Sequence, residues 1–250
     1  MPRVLPRPAA RVGPLAALAA GVLLAAPALA AVVAGCRSAP NAPPPPRRDP
    51  LLQPDPLVER AAAPDTFVVR FETTEGPFSV QVVRSWAPRG ADRVYYLVQS
   101  GFYDSTRFFR VLPRFVAQWG AHGNPTVNRV WESRTIPDDP VKLSNGRGTV
   151  TFATAGPNTR TTQLFVNLAN NARLDRLGFA PLGRVIEGMN HVDSLYAGYG
   201  EGPPRGKGPN QDRLAEQGNI YLQRDFARLD FIQTARVVRE TPRPAPPRRR

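Results

Sequence analysis

Short runs of apolar residues, several of them alternating with polar ones, predict strands through the middle of the chain. Few segments have helical periodicity: residues 88–100, ending at Gly101, a short helix over 188–195, and another around 211–217. Many short strands with few helices favour a β-barrel or a β-sandwich, and the pattern does not choose between them. The strands are predicted over residues 67–73, 76–82, 148–153, 163–168, 182–186 and 229–238. Residues 108–118 are predicted to form either a pair of strands or one strand with a bend at Pro113.

The first 36 residues have the layout of a bacterial export signal. Arg3, Arg7 and Arg11 precede an apolar, alanine-rich run over residues 12–34, and Val33-Ala34-Gly35-Cys36 follows the pattern of a lipobox. We therefore predict a signal peptide over 1–35 and lipidation at Cys36. Two alternatives stay open: the run is retained as a membrane anchor, or it is cleaved after Ala30.

Proline-rich segments flank the predicted strands. Residues 36–63 contain Pro43–Pro46 and further prolines at 50, 54 and 56, which is typical of an extended linker. A short helix on the domain could instead form from Leu51, Leu52, Leu57 and Val58. The boundary between the linker and the folded domain therefore stays open. Residues 241–250 are rich in proline and arginine and are predicted to be a disordered tail. The folded domain is predicted over 64–240, with an insertion of loop and short helix at 198–224.

The net charge of the chain bears on which partners it is expected to bind. The net charge is +13, and most of the basic residues are arginines. Such a balance is compatible with nucleic acid or an anionic membrane, but no nucleic-acid motif accompanies it, and we expect no nucleic-acid partner.

The residue types that usually carry catalysis or bind metal are scarce or poorly placed. The single cysteine excludes an intramolecular disulfide and any metal site built from several cysteines. His122 and His191 are interpreted as structural or surface residues. Asp138, Asp139 and Asp175 are interpreted as loop or cap residues. No metal and no cofactor is predicted.

Two stretches carry the chemistry. In the stretch 108–118, Arg110 and Gln118 stand eight residues apart among apolar side chains. The second stretch runs over 152–159 and continues from Gln163 to Asn167. Together they resemble the signature of the cyclophilins, the peptidyl-prolyl cis-trans isomerases, and the resemblance extends over roughly residues 66–240. It implies a mainly β fold: a closed eight-stranded antiparallel β-barrel with two capping helices.

The resemblance also implies residue roles. Arg110 would donate a hydrogen bond to the prolyl nitrogen, Gln118 would hold a substrate carbonyl and help to place Arg110, and Phe115 would complete the catalytic set. The other residues implied to contact substrate are Val116, Ala153, Thr154, Phe165, Arg173, Leu174 and Phe179.

This chain departs from the family pattern at several positions. Arg173 stands where the family often has tryptophan, which predicts altered ligand affinity and weak cyclosporin binding. Phe179 and Phe109 stand where histidines are common. Three further departures are Arg114 and Trp119 in place of glycines and Val116 in place of methionine.

The leading hypothesis is a peptidyl-prolyl isomerase that acts on proline-containing, unfolded or extended polypeptides outside the cytoplasm. It would be monomeric, assist protein folding and be held at the cell envelope by a lipid anchor. One alternative is a cyclophilin-like chaperone or scaffold that binds peptide with little catalysis. The other is a purely structural envelope lipoprotein.

Overall fold

One antiparallel sheet of eight strands organises residues 48–241, the part of the chain that the computed structural model describes. Its strand order is β3-β4-β6-β5-β7-β2-β1-β8. The strands are β1 Thr66–Thr73, β2 Phe78–Val83, β3 Arg110–Leu112, β4 Val116–Trp119, β5 Thr149–Phe152, β6 Leu164–Asn167, β7 Pro181–Glu187 and β8 Ile232–Thr241. The predicted mainly β, eight-stranded antiparallel architecture is confirmed, and the stretch 108–118 is the hairpin of β3 and β4.

The two edges of the sheet approach each other through a short bridge. The segment that leads into β3 pairs with the start of β8 at Arg107 and Phe231. Phe108 N donates to Asp230 O at 2.9 Å, and Ile232 N donates to Thr106 O at 2.9 Å. These bonds curl the sheet around its apolar core, although β3 and β8 themselves are not paired.

Aromatic side chains fill the centre of that core. Phe71 and Phe78 stack with their ring centroids 4.8 Å apart, and Trp119 meets both rings edge-on. Phe108 also packs against Trp119, at 5.5 Å. Trp119 is completely buried, so the tryptophan in place of the family's glycine contributes to the core and not to the substrate site.

The helices are α1 Pro56–Glu59, α2 Pro88–Gln99, α3 Pro125–Glu132, α4 Met189–Ser194 and α5 Gln211–Asp225, with a 3₁₀ helix over Ala172–Leu177. Helix α2 begins at Pro88, and the Asp139 carboxylate accepts from the backbone N–H groups of Arg89 and Gly90 in its first turn. It ends before Gly101, whose φ of 71° favours glycine. These contacts agree with the interpretation of Asp139 as a loop or cap residue.

The predicted helical content was too low. Helix α3 was not predicted, because only Val127 and Trp131 on it are buried and two apolar positions make a weak periodic signal. The helix predicted around 211–217 is present but continues to Asp225 after a kink at Gly218, where φ is 59° and ψ is −143°. The described residues therefore contain more helix than the sequence pattern predicted.

Residues 48–63 pack on the domain and do not behave as a free linker. The Trp131 indole Nε1 donates to Leu51 O at 3.0 Å, and Ala63 is buried in the main core. On α1, Glu59 forms ion pairs with the buried Arg93 at 3.0 Å and with Arg134 at 2.6 Å. The linker predicted over 36–63 is thus corrected at its C-terminal end, because this segment supplies the partner of a buried arginine.

The predicted signal peptide, Cys36, the first part of the linker and residues 242–250 of the predicted tail lie outside the described residues. Within residues 48–241, none of the helices has the length and apolar character needed to span a membrane.

Candidate active site

The β3–β4 hairpin places Arg110 and Gln118 side by side. The two residues are register partners, so their side chains leave the same face of the hairpin. The turn between the strands contains Arg114 with φ of 61°, and Phe115 N donates to Leu112 O at 2.9 Å. Left-handed backbone of this kind favours glycine, which accounts for the glycine that the family often has at position 114.

A row of polar contacts runs from Arg110 across the sheet. Arg110 Nη1 donates to Gln118 Oε1 at 3.1 Å, and Gln118 Nε2 donates to Gln163 Oε1 at 2.8 Å. Gln118 is buried, and both of its amide ends have partners. The row therefore fixes the orientation of the Gln118 amide, and with it one side of the Arg110 guanidinium.

The other side of the Arg110 guanidinium contacts a carboxylate that was not predicted from the sequence. Arg110 Nε and Nη2 donate to the two oxygens of Glu201, each at 2.8 Å. The two side chains are only 17% and 23% exposed. The hydrogen bond from Arg110 lowers the pKa of Glu201 below its ordinary value despite an opposing effect of burial, and Gly202 N–H and the charge of Arg205 act in the same direction as Arg110.

An apolar wall faces these polar groups. Val116, Phe165 and Leu174 form a buried cluster of their own, separate from the main core. Phe179 packs against it, with its ring 5.7 Å from that of Phe165 in an edge-on arrangement. Phe115 and Ala153 complete the wall.

Two guanidinium groups lie against the half-buried ring of Phe115. Arg173 Cζ is 4.7 Å from the ring centroid, and Arg110 Cζ is 5.5 Å from it. Arg173 is otherwise exposed, so a charged side chain covers Phe115 where the family often has an indole.

A tight loop over residues 154–159 forms a further part of the site. Thr154 Oγ1 and Thr159 Oγ1 lie 2.8 Å apart, and both lie within hydrogen-bond distance of Gly156 O. The two hydroxyl hydrogens serve two of these three contacts. Ala155 N donates to Thr159 Oγ1 at 2.9 Å. These bonds hold the loop in a compact form beside Ala153.

All ten residues predicted for catalysis or substrate contact line one open groove with a volume of about 670 Å³. Its lining is mixed: an apolar wall on one side and Arg110, Gln118 and Glu201 on the other. The groove lining that was not predicted consists of Glu132, Ala155, Thr159, Thr161, Gln163, Leu177, Glu201, Arg205 and Gln211. Gln163 lies within a stretch already singled out, whereas Glu201 comes from the insertion, 91 residues after Arg110.

The histidines and Asp175 lie away from the groove lining. The His191 ring lies 2.6 Å from Pro77 O through Nδ1, and burial lowers the pKa of His122. The Asp175 carboxylate accepts from the backbone N–H and the side chain of Asn145 and from the Ser144 hydroxyl. Their interpretation as structural residues agrees with these contacts.

Comparison with known proteins decides the family. Residues 68–217 match the family model for the cyclophilin type peptidyl-prolyl cis-trans isomerases. The chain belongs to this family. The cyclophilin signature predicted from residues 108–118 and 152–167 is confirmed, and with it peptidyl-prolyl cis-trans isomerase activity.

Individual relatives agree with this assignment. A peptidyl-prolyl cis-trans isomerase of Acinetobacter baylyi is 31% identical over 133 residues, which cover 51% of this chain and 71% of that protein. Peptidyl-prolyl cis-trans isomerase A of Dickeya dadantii is 31% identical over 140 residues, covering 54% and 73%. A crystal structure of a Cryptosporidium parvum cyclophilin type isomerase aligns with a TM-score of 0.51 at 20% identity, over 70% of this chain and 99% of that one. This last likeness supports the fold.

Proposed function

We propose that the groove binds an extended polypeptide with its proline ring against Val116, Phe165 and Leu174, and that Arg110 promotes rotation of the X–Pro bond. The observation that carries the proposal is the position of Arg110: a half-buried guanidinium at the edge of an apolar wall, oriented by Gln118. The wall takes the proline ring out of water, and the guanidinium supplies hydrogen-bond donors beside it.

The chemistry follows from amide resonance. A planar X–Pro bond shares the lone pair of the prolyl nitrogen with the carbonyl, and its uncatalysed isomerisation takes tens to hundreds of seconds. Twisting the bond returns the lone pair to nitrogen, where it can accept a hydrogen bond. A donor aimed at that nitrogen therefore stabilises the twisted state more than either planar state, as catalysis requires. Arginine suits this role because it stays charged and presents its N–H groups in a fixed fork.

The apolar wall contributes to rate as well as to binding. A hydrogen bond to a charged group is worth ~1.5–3 kcal/mol, which corresponds to roughly 10- to 150-fold in rate. Any further acceleration comes from excluding water around the twisting amide and from holding the peptide partly twisted against Phe115 and Phe165.

A peptide-binding module with little catalysis is the second candidate. The ion pair between Arg110 and Glu201 favours it, because a neighbouring carboxylate offsets the positive charge available to the substrate. Both candidates predict binding of proline-containing peptides in the groove. They differ in whether the full chain accelerates exchange between the cis and trans forms of an X–Pro peptide, as measured by exchange NMR.

We place this activity outside the cytoplasm, on a lipid-anchored, monomeric protein that helps exported polypeptides to fold. The support is in the sequence: three early arginines, an apolar run, and Val33-Ala34-Gly35-Cys36 at its end. Stable anchoring takes more than one fatty chain, and a lipobox cysteine receives a diacylglyceryl group. Arg37, Arg47 and Arg48 would add attraction to anionic headgroups.

Substitution of Cys36 tests the anchor. In a bacterial host, Cys36→Ser should abolish lipid addition and shift the protein out of the membrane fraction or leave an uncleaved precursor, whereas Ser38→Ala should behave as the natural sequence does. Mass spectrometry of the N-terminal peptide, together with fractionation, reads the outcome. An unmodified Cys36 in the natural protein would contradict the proposal.

A further inference from the structure

The insertion at 198–224 delivers Glu201 to Arg110 on a loop that is held firmly in place. Gly208 N donates to Glu201 O at 2.8 Å, and Gly206 N donates to Gly202 O at 3.0 Å. A Cβ built on Gly206 would stand 2.1 Å from Glu201 O, so a side chain at this position is incompatible with the observed loop. The backbone around Glu201 is thus fixed by its own close packing.

A second small apolar cluster ties this insertion to the catalytic strand. Leu214, Tyr221 and Leu222 of α5 pack with Phe109, the residue directly before Arg110, and Tyr199 packs against the same cluster. Successive residues near a strand point to opposite faces. Phe109 therefore anchors the insertion from one side of the chain while Arg110 contacts Glu201 from the other, which explains the phenylalanine where the family often has histidine.

Arg110 keeps donors for a substrate while it is bound to Glu201. A guanidinium has five N–H groups. Glu201 takes the side edge formed by Nε and Nη2, and Gln118 takes one N–H of Nη1. One N–H on Nη1 and one on Nη2 remain, so the carboxylate does not have to leave before Arg110 can donate to a peptide.

From this geometry we propose that Glu201 is a positioning residue for the isomerase reaction, which makes the insertion at 198–224 part of the catalytic machinery. Gln118 alone fixes one edge of the guanidinium. The bidentate contact with Glu201 fixes its plane and limits its rotamers before the peptide arrives, so less side-chain entropy is lost on reaching the twisted state. The inference rests on the proposed function of Arg110.

Substitution of Glu201 tests the proposal in the full chain. Glu201→Ala and Glu201→Gln should lower the exchange rate of a saturating X–Pro peptide by about tenfold, the effect of losing an oriented charge-assisted contact. The peptide dissociation constant should change less than twofold, because Glu201 is not part of the apolar cluster that forms the wall. Asp193→Asn, which removes an exposed ion pair with Arg147 away from the groove, is the matched control and should leave both quantities unchanged.

The Arg110 side chain gives a second measurement that does not depend on activity. In the natural sequence the Arg110 Nε–H resonance should be dispersed, and its proton should exchange slowly with solvent. In Glu201→Ala this resonance should broaden and move toward the position of exposed arginines. The backbone amide spectrum outside residues 198–210 should stay unchanged. An unchanged Nε–H resonance would overturn the proposal.

The exchange rates separate the remaining outcomes. Equal rates for the natural sequence and both Glu201 variants would overturn the positioning role, and a faster rate in Glu201→Ala would show instead that Glu201 withholds Arg110 from substrate. Absence of acceleration by the natural sequence would be a failure of the proposed function, and the Nε–H resonance would still decide whether Glu201 orders Arg110.

Discussion

Arg110 and Gln118 face each other on paired strands, and the 3.1 Å hydrogen bond from Arg110 Nη1 to Gln118 Oε1 joins them. Because Gln118 also donates to Gln163, its side chain links Arg110 to the residue directly before β6. The loss of either contact releases one edge of the guanidinium.

We expect Gln118→Leu to lower isomerase activity about tenfold and to destabilise the domain by about 1–2 kcal/mol, since it leaves Gln163 Oε1 without its donor. Chemical denaturation and exchange NMR on the same sample measure the two effects. Gln99→Leu, on the exposed end of α2, is the control and should change neither. Full activity in Gln118→Leu would show that Glu201 alone suffices to orient Arg110.

Arg173→Trp should strengthen cyclosporin binding. An indole restores apolar area and an N–H donor over Phe115, where a charged side chain now lies with its Cζ 4.7 Å from the ring centroid. Calorimetry compares this variant with the natural sequence and with Arg176→Trp, an exposed position on the same 3₁₀ helix that is not part of the groove lining. Equal or weaker binding by Arg173→Trp would mean that another residue, such as Phe179, limits access.

Residues 48–63 should contribute to stability although they precede the sheet. A chain that begins at residue 64 lacks Glu59 and leaves the buried Arg93 without its carboxylate partner. Removing one member of a buried pair costs about 3–5 kcal/mol, and Glu59→Ala in the full chain should show most of that loss. Glu72→Ala, which removes an exposed pair with Arg70, should cost less than about 1 kcal/mol. Equal unfolding midpoints for chains starting at 48 and 64 would contradict this role.

Asp175 should make the free energy of unfolding depend on pH. Burial tends to raise the pKa of Asp175, but hydrogen bonds from Ser144 and Asn145 outweigh it and hold the pKa below its ordinary value. Because the folded-state pKa is the lower one, the carboxylate stabilises the fold above its unfolded-chain pKa, and this contribution is lost as pH falls through the folded value.

Asp175→Asn should therefore cost about 1 kcal/mol at pH 7, and the difference from the natural sequence should shrink on acidification below pH ~4. Denaturation curves at several pH values measure it. A difference that stays constant with pH would contradict this assignment. Since Asp175 ties the 3₁₀ helix that carries Arg173 and Leu174 to Asn145, the same change should also weaken peptide binding.

The features that could be predicted from the sequence are those encoded by residues close together in the chain. The apolar stretches around Arg110 and Gln118 predicted strand in the segments that form β3, β4 and β6, and the family signature placed the two residues in one predicted site. These features are encoded within a few residues of one another.

What the sequence did not predict depends on contacts between distant segments. Glu201 reaches Arg110 only because the insertion folds back onto Phe109 through α5, and nothing in the residues around Glu201 distinguishes it from an ordinary loop carboxylate. Helix α3 buries two side chains in a polar context, and Glu59 looks like a linker residue until Arg93 is found beneath it. Each of these features depends on contacts between segments that are distant in the sequence, and no local sequence pattern predicts such contacts.

The central claim is that the guanidinium of Arg110 drives isomerisation, and the most direct measurement is the exchange rate between the cis and trans forms of a short X–Pro peptide with the full chain. The natural sequence should accelerate exchange strongly. Arg110→Lys keeps the positive charge but lacks the fixed N–H geometry of the guanidinium. In both Arg110→Lys and Arg110→Ala, the acceleration of exchange should fall by about 10- to 150-fold, while the backbone amide spectrum shows an intact fold. Exchange as fast in Arg110→Ala as in the natural sequence would contradict the account.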